Sequence, residues 1–347
     1  MTDFSTLAWN VDEPTYRADP ALSYSTLAKY EREGRFSSLA TLFDQISTPS
    51  LTFGSMVDTL ITDSEEEFKN RFIVVDDPGI SENLKEITQR LFSMYGQTRM
   101  RFEDIPDETL AEVGKECNYY AGDKYVNYRV KQIRESCKPY YNTLCIAEGK
   151  TVVSPQDVED ARMCAEALKN SPRTAFLFAP NDPFDDSVRR YYQLKFKQTM
   201  EGVPYRCMAD LIVVDYKNKT IQPCDLKTSS HNEWEFPKSF QQWRYDIQAR
   251  LYWRLILETV RNNPDFKDFE VLPYKFIVIN RKNFKPMVWD FGYTKEYGRL
   301  SITTPSGYVI NWRDPYDIGK ELKQYLDSTP ELPLNQGTEI VDWLENN

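Results

Sequence analysis

The chain has 347 residues, a hydrophobic fraction of 41% and an aromatic fraction of 14%, which is the make-up of a folded globular protein with a sizeable core. Its net charge of −10 is unusual for a protein that holds phosphates, but the charge is unevenly spread: residues 185–261 carry 13 Lys and Arg against 10 Asp and Glu. No run of 18 apolar residues occurs, the opening MTDFSTLAWNVDEP has no basic-then-apolar leader pattern, and the six cysteines (117, 137, 145, 164, 207 and 224) include no C-x-x-C. Those features argue against a membrane span, a signal peptide, a disulfide framework, a structural zinc site or an iron–sulfur cluster. They fit reduced thiols in a cytoplasm.

In chain order, YRADPALSYSTLAKYER places Ser25 to cap a helix starting at Thr26 or Leu27. LTFGSMVDTLI from Leu51 reads as a second helix. Residues 83–147 read as a helical layer, including SENLKEITQRLFSMYG and a stretch with Tyr119, Tyr120, Tyr125 and Tyr128. That tyrosine cluster suits either base stacking or a packed helix face. SPQDVEDARMCAEALKNSP has the clearest helix signals, with Ser154 at the N-cap, Pro155 following, and a stop at Ser171-Pro172. Three strands follow: VRRYYQLKFKQ, RCMADLIVVDY and IQPCDLKT, separated by the turns TMEGVPY and KNKT, which is an antiparallel meander. PKSFQQWRYDIQARLYWRLILETVR then reads as one long amphipathic helix, YKFIVINR and KPMVWDFGY as two more strands, and DIGKELKQYLDS as a helix before a Pro-rich end. The pattern predicts one α/β domain over 1–347, with a mainly helical part over 1–180, a sheet and helix carrying the chemistry over 185–300, and a C-terminal extension over 301–347.

The informative stretch is MADLIVVDYKNKTIQPCDLKTSS. Asp225 and Lys227 are two apart in a strand and point to one face, and Asp210 on the neighbouring antiparallel strand is placed to face them. A lone D-x-K is commonly a solvated strand face. Two converging carboxylates beside an ammonium are costly to hold together, and they suit a hard divalent cation with oxygen ligands and a phosphate in reaction. Lys227 is then placed to orient or deprotonate the attacking water. Gln248 and Tyr252, four residues apart, share one face of the following helix, and Arg244 lies four residues before Gln248.

GVPYRCMAD, CDLKTSS and YDIQARLYW together resemble the PD-(D/E)XK nucleases, specifically exodeoxyribonuclease VIII (RecE-like) and phage recombination exonucleases. The matched positions are Asp210, then Asp225 and Lys227 followed by Thr228 and Ser229, then Tyr245, Asp246, Gln248 and Tyr252. YRADPALSYSTLAKY and LTFGSMVDTLIT are similar to the opening of that family, so the resemblance covers roughly residues 12–75 and 188–257. It implies a restriction-endonuclease-like core, a mixed sheet flanked by helices with a helical N-terminal layer. It also implies a Mg²⁺-dependent nuclease (Mn²⁺ substituting) that digests linear double-stranded DNA from its ends. Asp210, Asp225 and the Leu226 carbonyl would hold the metal, Lys227 and Gln248 would serve catalysis, and Thr228, Ser229, Arg244 and Tyr252 would contact DNA. A homo-oligomeric ring, a single-strand annealing partner and a role in phage or mobile-element recombination inside a bacterial cytoplasm belong to the same expectation. Two positions depart from the pattern: Asp58 stands where the family has a helix histidine, and Gln193 where many relatives have a glutamate. Asp58, with Gly54 one turn before it, is expected as a third acidic member of the metal site, while His231 is given no role. Two alternatives remain: an endonuclease on the same core, and a catalytically weak homologue that binds DNA or protein.

Overall fold

The computed structural model describes residues 2–34, 41–43, 48–62, 65–76, 79–147 and 149–328. The Pro-rich C-terminal end lies outside them. The chain divides into two units, Met1–Thr48 with Glu166–Asn347, and Pro49–Ala165. The helical part expected over 1–180 is therefore largely an inserted unit, and the first forty-eight residues belong with the sheet.

In the first unit the opening helices are α1 (Glu13–Ala18) and α2 (Tyr24–Glu33). The second begins two residues earlier than expected. Ser23, not Ser25, caps it, because Thr26 completes a capping box: its hydroxyl accepts the Ser23 N–H at 2.8 Å.

The second unit holds α3 (Pro49–Thr62), α4 (Glu65–Arg71), α5 (Glu82–Tyr95), α6 (Asp107–Glu116) and α7 (Val126–Ile146). It also holds a short parallel pair, β1 (Phe72–Val74) and β2 (Thr151–Val153). Ile87, Leu91, Leu110, Ile133 and Tyr141 are its buried centre. In the tyrosine stretch, Tyr120 meets Tyr119, Tyr125 and Tyr128 edge-on, with ring centroids 4.8, 6.0 and 4.9 Å away. Tyr120, Tyr125 and Tyr128 each keep more than 40% of their surface open, so this is not a packed helix face. The boundary to the first unit falls within α8 (Pro155–Asn170), where Ser154 Oγ accepts the Asp157 N–H at 3.0 Å as its sequence predicts.

The rest of the first unit begins with α9 (Ala175–Phe178) and the expected meander, β3 (Val188–Met200), β4 (Val203–Asp215) and β5 (Thr220–Ser229). The sheet order is β3-β4-β5-β7-β8, with β6 (Glu270–Val271) pairing β5, β7 (Lys275–Asn280) parallel to β5, and β8 (Pro286–Asp290) antiparallel to β7. The sheet is mixed, as expected, because the helical crossover between β5 and β7 returns the chain in the same direction. That crossover is two helices, not one: α10 (Phe236–Trp243) and α11 (Tyr245–Arg261) meet at Arg244, which adopts a left-handed φ of 57°. Ile247, Leu251, Leu255 and Ile256 of α11 are fully buried in the same core as Val214, Ile221 and Phe276 of the sheet. A hairpin of β9 (Leu300–Thr303) and β10 (Val309–Trp312), absent from the sequence reading, precedes α12 (Pro315–Ser328). Among the described residues no helix is long and apolar enough to cross a membrane.

Candidate active site

The site lies where two strands of the sheet part. β4 and β5 pair from Asp215 with Thr220 as far as Leu211 with Cys224, and there the ladder ends. From Cys224 to Ser229, β5 runs on beside β7. Asp210 and Asp225, the next positions in the ladder, stand at this fork. The Leu226 N–H donates to Asp210 Oδ2 at 2.9 Å, so the carboxylate serves where a main-chain acceptor is missing.

Asp225 is only 1% exposed, and three groups close on it. Gln248 of α11 donates through Nε2 to Asp225 Oδ1 at 2.5 Å. Lys227, on the same face of β5, brings its Nζ to 2.6 Å from Asp225 Oδ2. Tyr245, at the start of α11, sets its ring 4.9 Å from that same ammonium. The sequence therefore brings Asp210, Asp225, Lys227 and Gln248 together as expected. It gave no notice of Tyr24, whose ring centroid lies 6.2 Å from that of Tyr245 and whose hydroxyl donates to the Trp243 carbonyl at 2.7 Å. Only the tertiary fold carries a residue 219 positions before Trp243 to this place.

The electrostatics follow from this packing. Burial works against the Lys227 ammonium, but the charge of Asp225, then Tyr245, Asp210 and Tyr24, outweighs it and holds the group above the usual lysine range. The phenols of Tyr24 and Tyr245 are pushed up by burial, with Lys227 opposing. Burial also pushes Tyr252 and Tyr274 far up, and both sense Asp225 and Asp210.

Two buried oxygens here have no hydrogen-bond donor, Gln248 Oε1 and the Tyr274 hydroxyl, while Asp225 Oδ2 is met by the Lys227 ammonium at 2.6 Å. Buried polar atoms are ordinarily satisfied, so such a group of oxygens calls for an occupant. An all-oxygen set with two carboxylates fits a hard cation such as Mg²⁺. Among the described residues no group of three or more His, Cys, Asp and Glu side chains is gathered to hold a metal, so the acids here are a pair. Asp58, expected as the third, is half-buried on α3 of the other unit.

The remaining expected residues fall out differently. Thr228 and Ser229 continue β5 past Lys227 and are half-buried. Arg244 is not on the helix face of Gln248, because its left-handed backbone puts it between α10 and α11. Its guanidinium is held by Asp246 at 2.9 Å and by Glu31 of α2 at 2.9 Å, so it locks the helix break. Tyr252 keeps only 8% of its surface and is packed in the core, which removes its ring as a surface for a DNA base. Gln193 stands between the register pairs Tyr192–Leu211 and Leu194–Ala209, level with Asp210, and has a left-handed φ of 53°. A positive φ in mid-strand is an uncommon conformation for a side chain-bearing residue and marks this position as more than ordinary strand. His231 is exposed on the loop after β5, with Nδ1 3.9 Å from Glu235.

No family model matches the sequence, and no curated protein matches it. Among solved structures, the chain is similar to a crystal structure named "Putative exonuclease" from Eubacterium rectale, at 12% identity and a TM-score of 0.37, over 93% of this chain and 84% of that one. At that score the likeness carries no weight beside the geometry.

Proposed function

We propose that this chain is a Mg²⁺-dependent deoxyribonuclease that hydrolyses phosphodiester bonds of linear double-stranded DNA, acting from ends rather than internally. The observation that supports it most is the strand fork, which gathers Asp210, Asp225, Lys227 and Gln248 and leaves buried oxygens without donors. Asp210, Asp225 and the Leu226 carbonyl would hold the cation, which supplies Lewis acidity toward a phosphate oxygen. Lys227, kept charged by Asp225, donates hydrogen bonds: it orients the attacking water and faces the anionic phosphate, and its raised pKa makes it a poor base in this state. Gln248 fixes Asp225 from the helix side and thereby fixes the direction in which Oδ2 points. On this reading the substrates are DNA ends in a bacterial cytoplasm, processed for phage or mobile-element recombination. A ring of identical subunits and an annealing partner are further parts of the proposal.

A second reading, a catalytically weak homologue that binds DNA or protein, is favoured by the net charge of −10 and by Gln193 in place of an acid. Digestion of an end-labelled linear duplex beside a closed circle, with Mg²⁺ and with EDTA, separates the readings. Loss of the linear form alone, abolished by EDTA, supports the exonuclease; cutting of the circle favours an endonuclease; an untouched linear duplex favours the inert homologue.

A further inference from the structure

A basic hairpin turn is fastened to the loop that leaves the acid-bearing strand. Residues 278–287, VINRKNFKPM, hold three basic and no acidic side chains in a chain of net charge −10. Asn280, at the end of β7 and 5% exposed, brackets the turn from inside. Its Oδ1 accepts the N–H groups of Lys282 at 2.7 Å and Asn283 at 3.3 Å, and its Nδ2 donates to the His231 carbonyl at 2.7 Å. The Arg281 N–H donates to the Ser229 carbonyl at 2.8 Å, and the Phe284 N–H returns to the Asn280 carbonyl at 2.9 Å. The turn and the loop after β5 are thus one hydrogen-bonded piece whose backbone has little freedom left.

This piece stands in line with the site. Asp225, Lys227 and Ser229 alternate onto one face of β5, and at about 3.3 Å per residue Ser229 lies about 13 Å beyond Asp225 along the strand. There a small cleft is lined by Ser229, His231, Asn232, Asn280 and Lys285, together with the apolar Phe236, Val278 and Met287. Lys282 and Lys285 are exposed on the turn that forms its wall. Glu235, on the same loop, accepts the Asn232 N–H at 3.0 Å and stands 3.9 Å from His231 Nδ1, so one carboxylate also borders the cleft.

Resting on the nuclease reading, we infer that the β7–β8 turn is an anchor for the DNA backbone, in which Lys282 and Lys285 neutralise phosphates of the strand whose scissile bond lies at Lys227. A polyanion gains most where cations are fixed in a row beside the reacting phosphate, because each neutralised phosphate releases counterions. A chain whose net charge is negative then has a place beside the site where DNA is drawn in and held.

The test is fluorescence anisotropy of a labelled linear duplex over a salt series, with Ca²⁺ in place of Mg²⁺ to prevent hydrolysis. The double variant Lys282→Ala/Lys285→Ala is compared with Lys217→Ala/Lys267→Ala, which removes the same charge at the opposite end of β5, where both lysines are exposed. The expected result is a salt slope smaller by about 2 and an affinity about tenfold lower for the turn variant, with the control unchanged. Equal affinity and slope in the turn variant and the unsubstituted chain overturn the anchor and leave the nuclease reading standing. An equal loss in both variants reduces it to a net-charge effect and also overturns it. If the unsubstituted chain itself binds no duplex, anchor and nuclease reading fall together.

Discussion

Two groups of buried charge are attached to α11, and they are built on opposite terms. Around its middle, Arg250 and Arg254 are 0% and 1% exposed and converge on Asp314, 4% exposed. Asp314 accepts from Arg254 at 2.7 and 2.9 Å, from Arg250 at 2.9 Å, and from the N–H groups of Gly298 at 2.7 Å and Tyr316 at 2.9 Å. The carbonyls of Glu296 and Arg313 take further guanidinium protons, and Arg254 lies 4.2 Å from the Tyr297 ring. Within this group Arg254 Nε and the Tyr316 hydroxyl are without a partner. Toward the N-terminal end of the same helix, Gln248 donates to Asp225, and its own Oε1 has no hydrogen-bond donor. One cluster closes its own electrostatics and fastens the β9–β10 region to the core. In the other, the Asp225–Lys227 ion pair stands beside buried oxygens without donors, and on the proposed function a cation would offset their cost. On the proposed function, the contrast is between charge used for architecture and charge that serves a ligand.

The largest effect should be on activity. Asp225→Asn keeps the shape and a hydrogen-bond acceptor for Gln248 but removes the charge facing the cation. Hydrolysis of a linear duplex should fall by about a thousandfold or more, with the melting temperature shifted by no more than a few degrees. Rates within tenfold of the unsubstituted chain, by single-turnover assay, would break the functional side of the contrast.

Asp314→Ala should show the reverse signature. It leaves two buried guanidinium groups without their carboxylate, so unfolding in urea should reveal a loss of about 3–5 kcal/mol. An unchanged midpoint would mean that the cluster is not structural.

A pH series refines the same point. Burial alone would raise the Asp314 carboxyl, but Arg254 and then Arg250 overcome it and hold it below the usual carboxylate value. A depressed folded-state pKa contributes stability above the unfolded value of about 4, and that contribution is lost as pH falls through the folded value. The unsubstituted chain should therefore lose stability on acidification below about pH 4, and Asp314→Asn, weaker at neutral pH, should show a flatter curve there. Parallel curves would remove Asp314 as the source.

Gln248→Ala should have a smaller effect, because Gln248 acts through Asp225. Cation affinity should drop by about tenfold or more with the fold intact, measured by Mn²⁺ titration. No change in affinity would detach the helix from the site.

The two clusters also differ in how far the sequence announced them. Asp225 and Lys227 were legible because strand alternation puts i and i+2 on one face, and Asp210 because short turns fix the register of an antiparallel meander. Arg250 and Arg254 were invisible as a cluster, since their partner Asp314 is 60 residues away from Arg254 and no local rule connects them. The break at Arg244 was missed for a similar reason. No Gly or Pro marks it, and the left-handed backbone is held by Glu31 on α2 and by Asp246. A helical periodicity that runs unbroken through PKSFQQWRYDIQ hides a bend set by tertiary ion pairs. The helix α2 began two residues early because Thr26 supplied the second half of a capping box, a detail that Ser25 obscured. Asp58 was reached by resemblance alone, and it belongs to the inserted unit, whose separateness no composition change announces.

The most direct measurement is thermal unfolding with and without excess Mn²⁺, on the unsubstituted chain and on Asp225→Asn. If the strand fork is reserved for a divalent cation, a concentration about ten times the dissociation constant should stabilise the unsubstituted chain by about 1.4 kcal/mol, a rise of about 2 °C, and leave Asp225→Asn where it was. An equal shift in both proteins, or none in either, would contradict the claim that the strand fork at Asp225 serves a metal.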